Sequence, residues 1–183
     1  TKPKIIIHLA GLSRPVQLHE SNSTESINLN IIGTSNLVMI CKKHNIKIVY
    51  FSSNYVYPGT KGNYKETDPV LPFNNYGWSK LGGESAVHMY KNSLILRICM
   101  TEKPFTHKKA LTDVYFNFIF QEEVAKKIPE LVKLKGILNV GGPISTIFSF
   151  AKKHNPNVKK ISLKKIKTIV FKKNMSMNVK KLD

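Results

Sequence analysis

The 183-residue chain contains few cysteines, few arginines and no long apolar run. Cys41 and Cys99 are too few for a disulfide framework or a zinc site, so we expect both to be buried small apolar residues and predict no metal site. No run of 18 or more apolar residues predicts a membrane helix, and no stretch has the zones of a signal peptide. These absences favour a cytoplasmic protein with one hydrophobic core and a small appendage.

Positive charge is in large excess, but its distribution is uneven. Lysine and arginine total 29 against 11 acidic residues, which gives a net charge of +18. Such a charge invites nucleic-acid binding. However, eleven lysines lie in residues 151–183, and arginine, which base and phosphate recognition favours, occurs only at Arg14 and Arg97. We therefore expect a solvated basic tail, and keep nucleic-acid binding through that tail only as a third hypothesis.

Short apolar runs alternate with helix-like spacings along most of the chain. The patterns predict strands at 4–10, 46–51, 93–97 and 137–140, and helices at 24–44, 76–91 and 122–134. Prolines and glycines in residues 54–75 predict a long loop. Strands without hydrophobic alternation are typical of parallel sheets. The sequence thus predicts an α/β fold, a Rossmann-like doubly wound parallel sheet, whose ligands bind beyond the carboxyl ends of the strands.

Tyr76 and Lys80 lie four residues apart in a predicted helix, so their side chains share one face. A phenol has a pKa of about 10, and a nearby ammonium favours its ionised form. Ser53, at the end of the preceding strand, could polarise a carbonyl oxygen beside them. Taken alone the pair is a weak signal, since a half-buried tyrosine next to a surface lysine has the same spacing.

Five pieces of sequence give this pair its context. They are HLAG (8–11), NIIGT (30–34), YFSSNYVYPG (50–59), YGWSK (76–80) and LILR (94–97). In their order and separations, the chain resembles the extended short-chain dehydrogenase/reductase family of NAD(P)-dependent sugar-nucleotide enzymes, over roughly residues 3–142. Residues 59–87 are similar to the dTDP-4-dehydrorhamnose reductases, one branch of that family.

The resemblance implies a reaction and assigns catalytic roles. Tyr76 would donate a proton to the 4-keto oxygen of a nucleotide-linked 4-keto-6-deoxy sugar, while NAD or NADP in its reduced form delivers hydride to the same carbon. Lys80 would bind the nicotinamide ribose and lower the pKa of Tyr76, and Ser53 would polarise the carbonyl. The implied partner is a nucleotide sugar, with no nucleic acid or membrane, and homodimer formation is left open.

The resemblance also assigns residues to the cofactor. Leu9, Ala10 and Gly11 would line it through backbone groups, together with Tyr76 and Lys80. Asn30 would brace the site from the neighbouring helix, although a local cap or turn is an equal alternative for that side chain. By contrast, we expect His8, on an otherwise apolar strand, to be a hydrogen-bonded core histidine.

Departures from the family pattern limit which reactions of the family the chain could catalyse. Sugar dehydratases carry an acidic pair after the strand-end serine, where this chain has Asn54 and Tyr55, so dehydration is rejected. After LILR, the reductases carry an aromatic residue that contacts the sugar, where residues 98–100 read Ile-Cys-Met. A glycine-rich phosphate-binding turn is also expected before Gly11 and is not found. We interpret the sequence as truncated ahead of Thr1, or else as a remnant that has lost its cofactor.

The predicted organisation has two parts. Residues 1–98 would form a partial dinucleotide-binding domain with the catalytic helix, and residues 99–183 a smaller substrate-binding portion with the basic tail. Besides a reductase, two alternatives on the same fold stay open: an NAD-dependent sugar-nucleotide epimerase, and a non-catalytic regulatory subunit.

Overall fold

A computed structural model describes residues 2–166 and 172–182 of the chain. The strands are β1 (Ile5–His8), β2 (Lys47–Ser53), β3 (Ser93–Ile98), β4 (Met100–Thr101), β5 (Lys109–Leu111), β6 (Tyr115–Phe116), β7 (Ile119–Phe120), β8 (Gly136–Val140), β9 (Ser145–Thr146) and β10 (Lys159–Ile161). The α-helices are α1 (Val16–Ser21), α2 (Ser23–Ser26), α3 (Gly33–His44), α4 (Asn75–His88), α5 (Gln121–Leu131) and α6 (Ile147–His154).

The centre of the fold is a four-stranded sheet in the order β1-β2-β3-β8, and each neighbouring pair of strands is parallel. Every residue of β2 and β3 is buried, as expected for strands covered on both faces. One face packs Val49, Leu96 and Val140 against α5, and the other packs Tyr50 and Ile95 against α3 and α4. The predicted Rossmann-like α/β sheet is therefore confirmed.

Several predicted boundaries differ from the observed ones. The helix predicted at 24–44 is interrupted by a π-helical segment, Ile27–Ile32, between α2 and α3. Helix α1 lies in a stretch for which the sequence predicts neither a helix nor a strand. Strand β8 joins the central sheet although it lies beyond residue 98. The division into a domain of residues 1–98 and a portion of residues 99–183 stays a prediction.

The lysine-rich C-terminal part is not simply a solvated tail. Its lysines are mostly exposed, as expected, but Met175, Ser176 and Met177 are fully buried beneath the long loop at 54–74. Part of the predicted tail, residues 167–171 and Asp183, lies outside the described residues. Both cysteines are buried and free, as predicted. Within the described ranges, no helix has the length and apolar character required to cross a bilayer.

Helix α4 packs against β2 at a glycine that faces the sheet. A Cβ atom at Gly83 would collide with the Tyr50 hydroxyl and would lie 2.8 Å from the Asn30 carbonyl oxygen. At the neighbouring Gly82, the three atoms nearest to an added Cβ all belong to the side chain of Ile31, which can adjust more readily than backbone. The close approach at Gly83 thus fixes the distance between α4 and the sheet.

We expect Gly83→Ala to destabilise the protein by about 1–3 kcal/mol, because the added methyl group overpacks a site bounded by backbone and a buried ring. Gly82→Ala is the matched control, since it gives the same helix-propensity gain of about 1 kcal/mol at a site that can adjust. Urea unfolding of both variants measures the difference. Equal free energies of unfolding for the two variants would contradict this account of the helix position.

Candidate active site

Ser53 and Tyr76 meet where β2 ends and α4 begins. Ser53 is the last residue of β2, and its hydroxyl accepts a hydrogen bond from the Tyr55 amide at 3.2 Å. Tyr76 lies in the first turn of α4, whose start is capped by the Asn74 side chain through the Gly77 amide at 2.8 Å. The Ser53 hydroxyl also donates to Asn54 Oδ1 at 3.4 Å, and Ser53 and Tyr76 line the same cleft. The structure therefore brings two of the predicted catalytic groups together.

The pKa of Tyr76 is raised, not lowered. Burial is the largest cause, and the hydrogen bond with Ser53 and the charge of Arg14 act in the opposite direction. Lys80 is not among the resolved causes, so its expected effect on this phenol stays a prediction. Tyr76 is consequently a neutral phenol at neutral pH, the form that can donate a proton.

The Lys80 ammonium lies behind Tyr76, deep in the protein. Lys80 is only 7% exposed, and its Nζ atom is 4.3 Å from the centroid of the Tyr50 ring, in cation–π geometry. Burial lowers the pKa of Lys80 to about 8, and Glu84 partly opposes that shift. Most Lys80 side chains are therefore protonated at pH 7, and the charge is lost just above physiological pH.

Asn30 braces the site through long-range hydrogen bonds. Its Oδ1 atom accepts from the Leu12 amide at 2.7 Å, and its Nδ2 donates to the Leu12 carbonyl at 2.9 Å and to Ser79 Oγ at 2.8 Å. These contacts join the loop after β1 to helix α4. The structure thus favours the brace over the local cap or turn for Asn30.

The residues expected to line the cofactor lie at the carboxyl end of β1. Leu9, Ala10 and Gly11 follow that strand and are exposed, Leu9 to 59%. A Cβ at Gly11 would approach Asn30 Oδ1 to 2.7 Å, so glycine permits the Asn30 contact. His8, one residue earlier, is a hydrogen-bonded core histidine as predicted, with its Nε2 atom 2.9 Å from Thr34 Oγ1.

A cleft of about 540 Å³ opens beside Ser53 and Tyr76. Apolar residues including Cys99 and Met100 form part of its wall, and Arg14 and Lys109 lie among the residues that line it. Lys80, Asn30 and residues 9–11 are not among the lining residues. The predicted site residues therefore form two groups. Ser53 and Tyr76 face the cleft, whereas Lys80, Asn30 and residues 9–11 lie behind or beside them.

Sequence reasoning missed two buried groups next to this site. His19 of α1 is fully buried, its Nδ1 atom is 2.7 Å from Ser26 Oγ, and its ring contacts Tyr76 edge-on at 5.0 Å between centroids. No signal pointed to His19, because α1 itself was not predicted. Glu84, four residues after Lys80 on the same helix face, could have been found by extending the spacing of Tyr76 and Lys80 by one turn.

Ser53, Tyr76 and the buried Lys80 lie at the carboxyl ends of the parallel strands, where open α/β sheets bind their ligands. The chain belongs to the RmlD substrate binding domain family, whose model matches residues 1–102. The resemblance to extended short-chain dehydrogenases/reductases is thereby confirmed. Within the described ranges, no group of three or more histidine, cysteine or acidic side chains could hold a metal ion.

Curated relatives of two kinds are similar to the chain. Methionine adenosyltransferase 2 subunit beta of Xenopus tropicalis is 37% identical over 98 residues, which cover 53% of this chain and 29% of that protein. The dTDP-4-dehydrorhamnose reductase of Aggregatibacter actinomycetemcomitans is 35% identical over 102 residues, which cover 55% of this chain and 34% of that protein. The chain thus spans about a third of the length of these relatives.

Solved structures match almost the whole chain in fold. The dTDP-4-dehydrorhamnose reductase of Bacillus anthracis, in complex with NADP, superposes with a TM-score of 0.84 at 23% identity, over 98% of this chain and 72% of that chain. A hypothetical dTDP-4-dehydrorhamnose reductase from Sulfolobus tokodaii gives 0.85 at 24% identity, with the same coverage. At these identities the likeness establishes the fold alone.

We expect Lys80→Met to stabilise the protein by about 1–3 kcal/mol at pH 7, because it removes a buried ammonium whose pKa is lowered to about 8. Below pH 8, Lys80 is charged and buried in the folded protein, which lowers the free energy of unfolding. Between pH 8 and the unfolded value of about 10.5, the unfolded chain binds more protons, so the wild type gains stability as pH rises.

Urea unfolding at pH 7 and pH 9.5 tests this expectation. The advantage of Lys80→Met over the wild type should shrink at the higher pH. Lys127→Met, at an exposed position of α5, is the matched control and should change the free energy of unfolding little at either pH. A Lys80→Met variant that is less stable than the wild type at pH 7 would show that burial of the Lys80 ammonium does not destabilise the folded protein.

Proposed function

We propose that the protein is an NAD(P)-dependent reductase of a nucleotide-linked 4-keto-6-deoxy sugar, as in the dTDP-4-dehydrorhamnose reductases. The observation that carries this proposal is that Ser53 and the neutral phenol of Tyr76 line the same cleft, with the Lys80 ammonium buried one helical turn further on. The similarity to sugar-nucleotide reductases supports the same chemistry.

Each of the three side chains has a distinct task in this reaction. Tyr76 donates its proton to the developing alkoxide at the sugar 4-position, and its raised pKa keeps that proton available at neutral pH. Ser53 donates a hydrogen bond to the same oxygen and polarises the carbonyl. Lys80 supplies a fixed positive charge behind Tyr76, which favours the phenolate left after proton transfer.

The residues beside this site fit a nicotinamide cofactor, NAD or NADP. When bound, the reduced nicotinamide would supply the hydride for the ketone carbon. Leu9, Ala10 and Gly11 would contact it through backbone at the carboxyl end of β1, where ligands of open α/β sheets bind. Lys80 would hold the nicotinamide ribose, and Asn30 keeps the loop after β1 in place. The NADP-bound Bacillus anthracis reductase, similar in fold, supports this assignment.

The cleft wall carries groups suited to a nucleotide sugar. Arg14, His107 and Lys109 line the cleft, with Glu102 paired to Arg14 at 2.7 Å. Guanidinium and ammonium groups suit the diphosphate of such a substrate. The structure of MoeE5 in complex with UDP-glucose and NAD, 18% identical to this chain, is a protein of similar fold that binds a nucleotide sugar.

We expect Tyr76→Phe in the full-length protein to lower kcat by about 10²–10⁴-fold, because it removes the proton donor and leaves the ring in place. The affinity for NADPH should change little. Absorbance of reduced nicotinamide, followed with a 4-keto-6-deoxy sugar nucleotide as substrate, measures the rate. Tyr90→Phe is the control, since Tyr90 is a buried tyrosine that bonds the Cys41 carbonyl away from the cleft.

Two results of that assay would overturn the proposal. A Tyr76→Phe variant as active as Tyr90→Phe would remove the tyrosine from the chemistry. A wild type that converts a sugar nucleotide to its epimer without net loss of reduced cofactor would favour the epimerase, because an epimerase regenerates its cofactor in each turnover.

A non-catalytic subunit is the second candidate, favoured by the similarity to methionine adenosyltransferase 2 subunit beta at 36–38% identity in several vertebrates. Co-elution of the full-length protein with a methionine adenosyltransferase catalytic subunit from the same organism tests it. The subunit role predicts a stable complex that Tyr76→Phe leaves intact, and no turnover of the sugar nucleotide. Turnover without complex formation would exclude it.

A further inference from the structure

A buried ion pair lies directly behind the candidate active site, between α4 and β3. The Arg97 guanidinium donates from Nε to both carboxylate oxygens of Glu84, at 3.1 and 3.2 Å, and from Nη2 to Oε2 at 2.8 Å. Both side chains are about 5% exposed or less. The geometry is the forked one that a guanidinium and a carboxylate form best. Glu84 is thereby fixed in one orientation on the face of α4 that also carries Lys80.

The ion pair is the centre of a wider hydrogen-bond network. Arg97 Nη1 donates to the Tyr57 hydroxyl at 2.9 Å and to the Glu66 carbonyl at 3.2 Å. Tyr57 and Asn139 Oδ1 are 2.9 Å apart, and Asn139 Nδ2 donates to the Tyr64 carbonyl at 2.8 Å. The long loop and β8 therefore hold Arg97 from the side opposite Glu84, so the carboxylate cannot shift without disturbing several elements.

Glu84 supplies the negative charge next to two buried cations. Lys80 and Arg97 are two buried cations, and in the described part of the chain Glu84 supplies the only carboxylate that acts on Lys80. The other groups that face Lys80 are the Tyr50 ring from β2, His8 from β1 and, on its own helix, Tyr76. None of these is an anion at neutral pH, because burial raises the pKa of both tyrosines.

We propose that Glu84 is a positioning residue of the candidate active site: its fork with Arg97 pins α4 to β3 and holds the carboxylate one helical turn from the buried Lys80 ammonium, whose charge it stabilises. Its catalytic meaning rests on the proposed function, but its effect on Lys80 does not. Burial lowers the pKa of Lys80 and Glu84 raises it, so the two effects act against each other. An ion pair that served only to hold the fold would leave the titration of Lys80 untouched.

Direct titration of Lys80 tests the proposal. In protein labelled with [ε-¹³C]lysine, the Lys80 signal is identified by its loss in Lys80→Met and is set apart by the ring current of Tyr50. We expect Glu84→Gln, which keeps the shape of the side chain and removes its charge, to shift the pKa of Lys80 down by about one unit. The alkaline limb of the kcat/KM profile should move down by the same amount.

Glu66→Gln is the matched control, because Glu66 is the other acid in this network. It accepts from the Asn139 amide at 3.1 Å and its side chain is 7% exposed, but it does not act on Lys80. The proposal requires Lys80 to titrate normally in Glu66→Gln. Equal shifts in the two variants would mean general loosening of the network, and no shift in Glu84→Gln would mean no influence of Glu84. Either result overturns the proposal.

Two further measurements keep the test decisive. If Glu84→Gln fails to fold, Glu84→Asp replaces it, because this variant keeps the negative charge but moves it away by one methylene. The pKa of Lys80 must then fall by a smaller amount than is expected for Glu84→Gln. An unchanged pKa of Lys80 in Glu84→Asp also overturns the proposal. The titration needs no substrate or cofactor. An inactive wild type with a Glu84-dependent Lys80 would therefore refute the reductase and leave this inference standing, while an active enzyme with an insensitive Lys80 would do the reverse.

Discussion

The close contact between α4 and β2 is the constraint on which the site depends. Gly83 lets the helix lie against the Tyr50 hydroxyl, and that hydroxyl donates to the Lys80 carbonyl at 3.3 Å. The same contact places the Lys80 ammonium over the Tyr50 ring and sets Tyr76 beside Ser53 at the end of β2. Helix position, cation placement and hydroxyl pairing are therefore consequences of one packing arrangement between a glycine and a tyrosine.

The parts of the fold that local sequence determines could be predicted, and the parts that long-range pairs determine could not. Continuous apolar runs identified the strands of the central sheet, because burial on both faces leaves a strong local signal. Ser53, Tyr76 and Lys80 were found because their spacing, in the context of a family resemblance, is local. The network of Glu84, Arg97 and Asn139 joins residues that are far apart in sequence, and no periodicity records such pairing.

The expected electrostatic roles changed for a similar reason. The spacing of Tyr76 and Lys80, together with the family resemblance, predicts that the ammonium lowers the pKa of the phenol. Burial is the largest cause of the observed shift and raises the pKa, because the Tyr76 ring packs edge-on against the rings of His19 and Tyr55. Those neighbours come from α1 and from the turn after β2, which the sequence did not place. The sign of the shift was thus decided by tertiary packing.

The buried charges bear on the choice between an enzyme and a subunit. Burying an ammonium destabilises a protein, and an apolar side chain of similar size in place of Lys80 would remove that cost. A buried ammonium that is retained therefore calls for a use of its charge. A surface that binds a partner gains nothing from a charge that is enclosed by Tyr50 and Glu84 and is only 7% exposed. In the proposed reaction, a positive charge near the phenolate that Tyr76 would leave has such a use. The placement of Lys80 therefore favours chemistry at Tyr76 over a purely structural role for this helix.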